Sequence, residues 1–520
     1  MITKIISGGV VGIYGYDVFV EVFISNGLPA FDIVGLAGKA IKESKERVRA
    51  AIKNCGFEFP SKKITINLAP ADVRKEGPYF DLPIAIGILV SIGVIKESKV
   101  SNVFFAGELS LDGQIRNING VLPMVHHSSK KYKTFIVPKE NLKEAQLIQN
   151  IEIIGVKHLN EVIEYFRTGT KPKDYNKNFE NESCRSDNIT YKEDFTDNEN
   201  IKLDFANVKG QEGMKRALTV AAAGYHNALI IGPPGSGKTM LAKRLPFILP
   251  DLSLEESLTT TKIYSIAGRL KNRNKLIKER PFRDPHHAIS YAALIGGGKV
   301  IKPGEISLSH NGVLFLDELP EFKRSVLEVL RQPLEDREIQ ISHADESVTY
   351  PAKFMLIAAM NPCPCGNYGT GTDECKCSIM AISKYIGKIS GPLLDRIDIH
   401  VESTRGSYSS LSEKNSISTA EIKERVLAAC NMQYKRYGTK NKYNAHLNVS
   451  EIEKYCKLDK TSDELLKQAF EKLKMSPRAY HKILKLARTI ADLEESEKIG
   501  VMHLTDALNY RSLDRKYFNL

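Results

Sequence analysis

The sequence predicts an α/β protein of two or three domains that ends in a mainly helical region. Its 520 residues are too many for one ordinary hydrophobic core. Apolar residues make up 42% and charged residues 26% of the chain, as in soluble globular proteins. Short apolar runs typical of strands alternate with stretches of helical period, and from about residue 410 the helical period dominates.

Changes in composition divide the chain into four expected segments. Residues 1–168 combine strands such as ITINLAP with an amphipathic helix that Gly56 should end. Residues 169–204 are rich in Asn, Asp, Lys and Glu, which predicts a polar linker. Residues 205–405 alternate strands and helices, the pattern of a parallel sheet with helices on both faces, and residues 406–520 are expected to be helical.

Charge and hydropathy narrow the classes of partner. Lys and Arg number 74 against 62 for Asp and Glu, and this net charge of +12 suits a polyanionic partner without requiring one. No stretch approaches the roughly 18 unbroken apolar residues of a membrane helix. The first residues alternate like strands and do not have the pattern of a secretory signal. We therefore expect a cytoplasmic protein with no membrane association.

A phosphate-binding loop is expected directly after the apolar run ALII, residues 228–231. The octapeptide fits the pattern GxxxxGK[ST] in full and consists of Gly232, Pro233, Pro234, Gly235, Ser236, Gly237, Lys238 and Thr239. Its glycines would let backbone N–H groups point at phosphates, and Lys238 would reach the β- and γ-phosphates. The Thr239 hydroxyl would bind Mg²⁺. A glycine turn before a helix is the plainer alternative, and the elements that follow favour an ATP site.

Two later strands supply polar side chains at their ends. VLFL should be a buried parallel strand, and Asp317 and Glu318 follow it directly. Asp317 would hold Mg²⁺ through water, and Glu318 would orient and deprotonate the attacking water. Asn361 ends the strand KFMLIAAMNP, where its amide would position the same water. Alone, the acid pair could be a strand-end cap; with the phosphate loop it predicts ATP hydrolysis.

An arginine and four cysteines are further candidates. Arg396 lies between a helix end and a strand, where it could bond the γ-phosphate of a neighbouring subunit; a surface pair with Asp398 is the alternative. The four cysteines have the spacing C-x-C, nine residues, C-x-C: Cys363, Cys365, Cys375 and Cys377. Four thiolates can close a structural Zn²⁺ site, although C-x₂-C is the usual spacing and a reduced, glycine-rich loop is the alternative.

Longer strings resemble one family of ATPases. RPFRDPHHAIS, GVLFLDELPEF, VLEVLRQPLEDREI, AAMNPCPCGNYG and SGPLLDRIDIH look like the magnesium-chelatase-like AAA+ ATPases of the YifB/ComM family, and the likeness continues to about residue 512. The resemblance implies a P-loop core with a helical lid. If these strings are aligned with the family's motifs, Asn361 would be the first sensor, Arg396 the arginine finger and Arg478 the second sensor. For Arg478, a solvent-facing helix residue is the alternative.

The first domain resembles the proteolytic domain of Lon proteases, a fold like domain 2 of ribosomal protein S5. KEGPYFDLPIAIGILVS and GELSLDGQIRNINGVLPMV carry the likeness. Tyr79 stands where Lon has its serine nucleophile, and Met124 stands where Lon has its lysine. A phenol and a thioether cannot form a Ser–Lys dyad, so we expect no peptide hydrolysis here. The domain would serve assembly or substrate engagement.

The YifB/ComM resemblance implies a homo-hexameric, ATP-driven motor that acts on DNA, with branch migration as its task. A chelatase-type ATPase and a protein remodeller are the alternatives. Residues 269–283 carry seven basic residues and one acidic residue, which would suit a phosphate backbone or a solvated face. Residues 338–354 predict a β-hairpin whose tip is not basic. For His286 and His287 we expect a structural role near the ATPase core.

Overall fold

The computed structural model describes residues 2–172, 203–270, 275–298, 301–343, 346–369, 375–404, 416–440, 442–473, 475–511, 513 and 517–518. Most of the predicted linker therefore lies outside the described residues. The chain forms two compact units: Met1–Asp194 with Ser257–Ile277 and Gly298–Lys302, and Phe195–Glu256 with Lys278–Gly297 and Pro303–Leu520. The four segment boundaries drawn from composition remain predictions. Among the described residues, no helix has both the length and the apolar character needed to cross a bilayer.

The first unit is built on a mixed seven-stranded sheet and a separate antiparallel pair of short strands. Its strands are β1 (Ile2–Val11), β2 (Tyr14–Ser25), β3 (Ala30–Val34), β4 (Lys63–Ala69), β5 (Val103–Phe105), β6 (Glu108–Leu109), β7 (Ile115–Arg116), β8 (Thr134–Pro138) and β9 (Glu152–Val156). Its helices are α1 (Lys39–Asn54), α2 (Asp81–Ser91), α3 (Val121–Ser128), α4 (Leu142–Ala145) and α5 (Leu159–Thr168). The strand order of the seven-stranded sheet is β3-β4-β2-β1-β5-β8-β9; β2 pairs antiparallel with β1 and β4, and the other pairs of this sheet are parallel. Strands β6 and β7 form the separate antiparallel pair.

The core of this unit follows the hydropathy pattern of the sequence. Helix α2 is apolar on all sides and is buried along almost its whole length, as expected of a central helix. Helix α1 instead buries one face, through Ile41, Val48 and Ile52. The chain leaves α1 at Gly56, whose φ of +85° is in the region that favours glycine. The predicted amphipathic helix and its glycine end are confirmed.

The two residues that the predicted Lon resemblance places at the dyad positions, Tyr79 and Met124, are packing residues. Met124 is 1% exposed and belongs to the hydrophobic core. Tyr79 packs against the same core, with its ring centroid 4.9 Å from that of Phe80. Both side chains thus contribute apolar surface to the packing of the unit.

A segment from the middle of the chain also packs in the first unit. Residues Ser257–Ile277 include most of helix α8 (Leu254–Ile266). Ser265 Oγ donates a hydrogen bond to Glu144 Oε1 at 2.5 Å, and Lys262 Nζ lies 3.2 Å from His126 Nδ1. These polar contacts and the burial of Thr260, Thr261 and Ser265 fix the segment against residues that precede it by more than 100 positions.

The second unit contains a five-stranded parallel sheet. Its strands and the short strands around it are β10 (Ala228–Ile231), β11 (Phe282–Arg283), β12 (Gly296–Gly297), β13 (Lys302–Pro303), β14 (Val313–Leu316), β15 (Glu338–His343), β16 (Glu346–Pro351), β17 (Met355–Met360) and β18 (Ile399–Glu402). The order is β11-β14-β17-β10-β18, and every neighbouring pair is parallel. Strands β10, β14 and β17 are buried throughout, which confirms the strands predicted from their continuous apolar runs.

Short helices surround this sheet and longer helices follow it. They are α6 (Glu212–Gly224), α7 (Lys238–Ala242), α9 (Tyr291–Ile295), α10 (Glu305–Leu308), α11 (Arg324–Val329), α12 (Arg331–Asp336), α13 (Ile379–Ile386), α14 (Gly391–Leu394), α15 (Thr419–Tyr437), α16 (Val449–Tyr455), α17 (Lys460–Leu473), α18 (Pro477–Leu493) and α19 (Val501–Asn509). The helical region after the sheet is therefore confirmed. Strands β15 and β16 pair antiparallel as the predicted hairpin, and residues 344–345 at its tip lie outside the described residues.

Buried polar contacts join the late helices to the sheet. His226, which precedes β10, lies 3.1 Å from Asp398 Oδ2 through Nδ1 and 2.8 Å from Thr489 Oγ1 through Nε2. Asp398 also pairs with Lys482 at 3.1 Å. Because His226 and Thr489 are fully buried, this network fixes helix α18 relative to the sheet.

Candidate nucleotide site

The loop after β10 presents an open cradle. Gly235 and Gly237 have φ angles of +74° and +83°, which favour glycine, and a Cβ built on either would meet nothing within 4 Å. Elsewhere the loop is held in place by contacts with Ser403, the residue that follows β18. Gly232 packs so closely on Ser403 that an added Cβ would lie 2.1 Å from its Oγ, and Ser236 Oγ is 2.6 Å from the same hydroxyl. Only glycine therefore fits at position 232.

Lys238 lies along the loop with its ammonium group held by oxygen atoms. Its Nζ donates to the carbonyls of Gly232 and Pro233 at 2.7 and 2.8 Å and to Asn361 Oδ1 at 3.2 Å. Burial lowers the pKa of Lys238, and the nearby carboxylates of Asp317 and Glu318 partly oppose that effect. The structure thus brings the loop lysine and the asparagine at the end of β17 into direct contact.

The two acids after β14 have different surroundings: Asp317 contacts the phosphate loop, and Glu318 is exposed. Thr239 Oγ1 donates to Asp317 Oδ2 at 2.6 Å, so the hydroxyl and the carboxylate expected to hold Mg²⁺ are already adjacent. Asp317 Oδ1 accepts the backbone N–H of Glu318 at 2.9 Å. Glu318 has a φ of +52°, and its side chain is 53% exposed. This left-handed backbone turns the Glu318 carboxylate outward, away from the buried strand.

Sequence reasoning assigned no function to two residues that reach this site. His287 Nδ1 lies 3.2 Å from Glu318 Oε2, and its ring is 4.1 Å from that of His286. Desolvation raises the pKa of Asp284; the positive charge of Lys243 opposes this rise, and the negative charge of Asp317 adds to it. The reason for the contact is topological, because β11 is parallel to β14 and the residues after both strands meet at one sheet edge.

The two remaining arginine candidates meet at one carboxylate. Arg396 Nη2 lies 2.9 Å from Glu335 Oε2, and Arg478 Nη2 lies 2.7 Å from Glu335 Oε1. Arg396 also donates to the carbonyls of Arg331 and Pro392. Among the described residues, neither arginine forms a hydrogen bond or ion pair with the phosphate loop or with the acid pair. The predicted site residues therefore form two separate groups within one chain.

The four cysteines come together although five residues of their loop, 370–374, lie outside the described residues. All four Sγ atoms are within 4.8 Å of one another. Sulfur–sulfur distances are 3.3 Å for Cys363 and Cys365, 3.8 Å for Cys363 and Cys375, and 3.7 Å for Cys365 and Cys375. These distances are far beyond the roughly 2.05 Å of a disulfide. Hydrogen bonds from the Asn367 backbone and from Cys363 lower the pKa of Cys365 to about 6.

Family models match three parts of the chain. "Magnesium chelatase, subunit ChlI" matches residues 204–411, "Subunit ChlI of Mg-chelatase" matches 20–141, and "Magnesium chelatase, subunit ChlI C-terminal" matches 416–511. The first match contains the phosphate loop, the acid pair and the cysteines. The third contains Arg478.

Whole proteins are also similar to this chain. Competence protein ComM of Haemophilus influenzae is 44% identical over 97% of this chain and 96% of its own length. YifB of Escherichia coli is 41% identical over 98% of this chain and 97% of its own. The 38 kDa subunit of the magnesium chelatase of Rhodobacter capsulatus is 25% identical over only 30% of this chain and 50% of its own. With its parallel sheet, its phosphate loop and these full-length matches, the chain belongs to the YifB/ComM family of magnesium-chelatase-like AAA+ ATPases.

Proposed function

We propose that this protein is a homo-hexameric motor that uses ATP hydrolysis to act on DNA, with branch migration during recombination or natural transformation as its task. The observation that carries the proposal is the match along nearly the whole chain to a protein named for competence, in a chain whose Thr239 hydroxyl and Asp317 carboxylate are in contact at 2.6 Å. The proposal includes a cytoplasmic location, as expected of a motor that acts on chromosomal DNA.

Each residue of the nucleotide site has a proposed role. Bound Mg²⁺, held by Thr239 and Asp317, would neutralise phosphate charge. Lys238 would leave its carbonyl partners and bind the β- and γ-phosphates. Glu318 would accept a proton from the attacking water, and Asn361 would hold that water in line. The open glycine cradle and the Thr239–Asp317 contact support the fit of ATP and Mg²⁺ to these residues.

Removal of the Lys238 ammonium should weaken nucleotide binding. Charge-assisted hydrogen bonds contribute about 1.5–3 kcal/mol, so Lys238→Ala should raise the Kd for a fluorescent ATP analogue ~10- to 150-fold. Lys423→Ala is the matched control, because Lys423 forms only an exposed ion pair with Asp251 at 2.8 Å. Equal affinities of wild type and Lys238→Ala would contradict the role given to the lysine.

We further propose that the arginine pair completes the ATP site of a neighbouring subunit. Arg396 would act as the arginine finger and Arg478 as the second sensor. Members of this family are oligomeric. The separation of both arginines from the phosphate loop within one chain, and their shared position at Glu335, support a role across a subunit interface.

The basic stretch 269–283 has fewer side chains available for DNA than its composition suggests. Arg280 is buried and donates to the carbonyls of Pro250 and Asn311 at 2.5 and 2.7 Å. Arg283 forms a two-bond pair with Glu305 at 2.6 and 2.9 Å. Both are therefore structural residues. DNA contacts must come from other basic residues of the positively charged chain.

If the substrate is DNA, binding should depend steeply on salt. A protein that neutralises several phosphates loses on the order of 1,000-fold in affinity between about 50 and 200 mM salt, because bound counterions are released. We expect this loss for forked DNA in a fluorescence anisotropy titration, and we expect ATP-dependent unwinding of the fork that Lys238→Ala does not support. A flat salt response, or no binding with ATP present, would favour a protein substrate instead.

Two alternatives belong to other classes of AAA+ protein. A chelatase-type ATPase would insert a metal into a tetrapyrrole with partner subunits, but the 38 kDa chelatase subunit of Rhodobacter capsulatus aligns with only 30% of this chain, at 25% identity. A protein remodeller would use the same ATP site on polypeptide. Proteolysis by the first unit is not part of our proposal, since Tyr79 and Met124 replace the Lon dyad. We propose that this Lon-like unit serves assembly or substrate engagement, and that the cysteines hold a structural Zn²⁺.

A further inference from the structure

The cysteine cluster, formed by Cys363, Cys365, Cys375 and Cys377, has the dimensions of a tetrathiolate metal site. A tetrahedral zinc ion with Zn–S bonds of about 2.3 Å holds its sulfurs ~3.8 Å apart. Three of the sulfur–sulfur distances are 3.3–3.8 Å, close to that value, and all four sulfurs lie within 4.8 Å of one another. Four thiolates leave no open position on the metal, so its effect must be on the surrounding structure.

The turn that carries the first two cysteines packs against the phosphate loop. Gly366 N donates to Cys363 O at 3.0 Å and so closes a tight turn between the first two cysteines and the rest of their loop. At this turn Gly366 has a φ of +84°, and a Cβ added to it would lie 2.5 Å from Pro234 Cδ. The backbone of the cysteine turn is therefore packed against the third residue of the phosphate loop.

A second set of contacts runs from the cluster to the strand beside the loop. Cys363 Sγ accepts the backbone N–H of Tyr368 at 3.3 Å, and the Tyr368 ring meets the Tyr517 ring edge-on at 6.4 Å. Tyr517 is 1% exposed, and its hydroxyl donates to Glu402 Oε1 at 2.7 Å. Glu402 is the last residue of β18, directly before the serine that contacts the phosphate loop.

Ser403 connects the end of β18 to the phosphate loop. Ser403 N donates to Ile231 O at 2.8 Å, and Ser403 Oγ lies 2.6 Å from Ser236 Oγ. On the other side, Asn361 precedes Cys363 by two residues and accepts a hydrogen bond from Lys238 Nζ. The cluster is thus linked to the phosphate loop at its proline, its serine and its lysine.

We propose that a zinc ion bound by the four thiolates fixes the position of the phosphate loop and of Asn361, so that loss of the metal weakens nucleotide binding. Without the ion, the four thiol side chains have no common ligand to hold them together, and the turn against Pro234 loses its anchor. The inference extends the proposed nucleotide site and rests on it, whereas the metal site itself does not depend on nucleotide.

The test measures metal and nucleotide separately on the full chain. Wild type purified with reductant should contain about one zinc per chain by elemental analysis, as a four-ligand site requires. Cys363→Ser with Cys375→Ser should lose the zinc, and Cys430→Ser, which removes a buried cysteine away from the cluster, should keep it. Zinc-free wild type under zinc-supplemented conditions would overturn the proposal.

Coupling is tested by the Kd for a fluorescent ATP analogue. Zinc removal from wild type by a chelator should weaken binding about tenfold or more, because small displacements of positioned groups have effects of that size, and added zinc should restore it. The chelator experiment uses wild-type protein, so its result does not depend on whether a cysteine variant folds. An unchanged Kd in zinc-depleted protein would overturn the coupling.

Gly366→Ala tests the contact itself, since its Cβ would meet Pro234. It should keep zinc and weaken nucleotide binding, while Gly438→Ala, with a φ of +70° and open space around it, should not affect the Kd. Full affinity in Gly366→Ala would overturn the role of the turn. Lys238→Ala should lose affinity and keep zinc. A wild type that holds zinc yet binds no nucleotide would refute the nucleotide site, and the coupling with it, but not the metal site.

Discussion

Glu318→Gln is expected to reduce steady-state ATP turnover by about 100- to 10,000-fold, the usual contribution of a general base. Glutamine keeps the size of the side chain and cannot accept the proton of the attacking water. The Thr239–Asp317 contact and the cradle around Lys238 are untouched by this change, so ATP should still bind. Phosphate release measures the first effect, and titration with a fluorescent ATP analogue measures the second.

Glu321→Gln provides the matched control. Glu321 lies three residues further along the chain and forms an exposed pair with Lys388 at 3.4 Å, which contributes little to stability. It should leave turnover near the wild-type rate. If Glu318→Gln hydrolysed ATP as fast as wild type, another base would have to be sought, and Asp284, whose charge interacts with that of Asp317, would be the first candidate.

Arg396→Ala should reduce turnover by roughly 1,000-fold or more if the arginine acts as a finger on the γ-phosphate of a neighbour. The test for action in trans is a mixture. Arg396→Ala subunits retain Glu318, and Glu318→Gln subunits retain Arg396, so a mixed ring contains interfaces with both groups intact. Mixing two inactive preparations should therefore restore part of the phosphate release, with a maximum at intermediate ratios.

Exposed Arg425 on helix α15 supplies the control, and Arg425→Ala should behave as wild type in the same mixture. No recovery at any ratio would refute the assignment in trans. Mass measurements of the assembly provide an independent check. A chain that remains monomeric at all concentrations while it hydrolyses ATP at full rate would refute both the shared site and the motor built on it.

The parts of the site that could be read from the sequence are local in the chain. The phosphate loop requires glycines and a lysine within eight residues, and VLFLDE requires a buried strand that ends in acids. Each pattern predicts its own backbone, and the parallel sheet confirms the strands expected from these apolar runs. The family was also identifiable from the sequence, because its longer strings are distinctive.

Contacts between distant segments required the tertiary structure. The sequence did not predict that His287 would lie beside Glu318, or that Glu335 would hold both Arg396 and Arg478. Nor did the basic composition of residues 269–283 reveal that Arg280 is buried on backbone carbonyls.

The sequence by itself determined the loop chemistry, the order of the strands along the chain and the family. Only the tertiary structure decided which side chains share a partner, which arginines are structural, and that Gly366 packs on Pro234. The physical reason is that a motif specifies backbone conformation over a few residues. Contacts between side chains that are distant in the sequence depend instead on the order and register of the strands and on which helix faces are buried. The packing of the whole unit determines both.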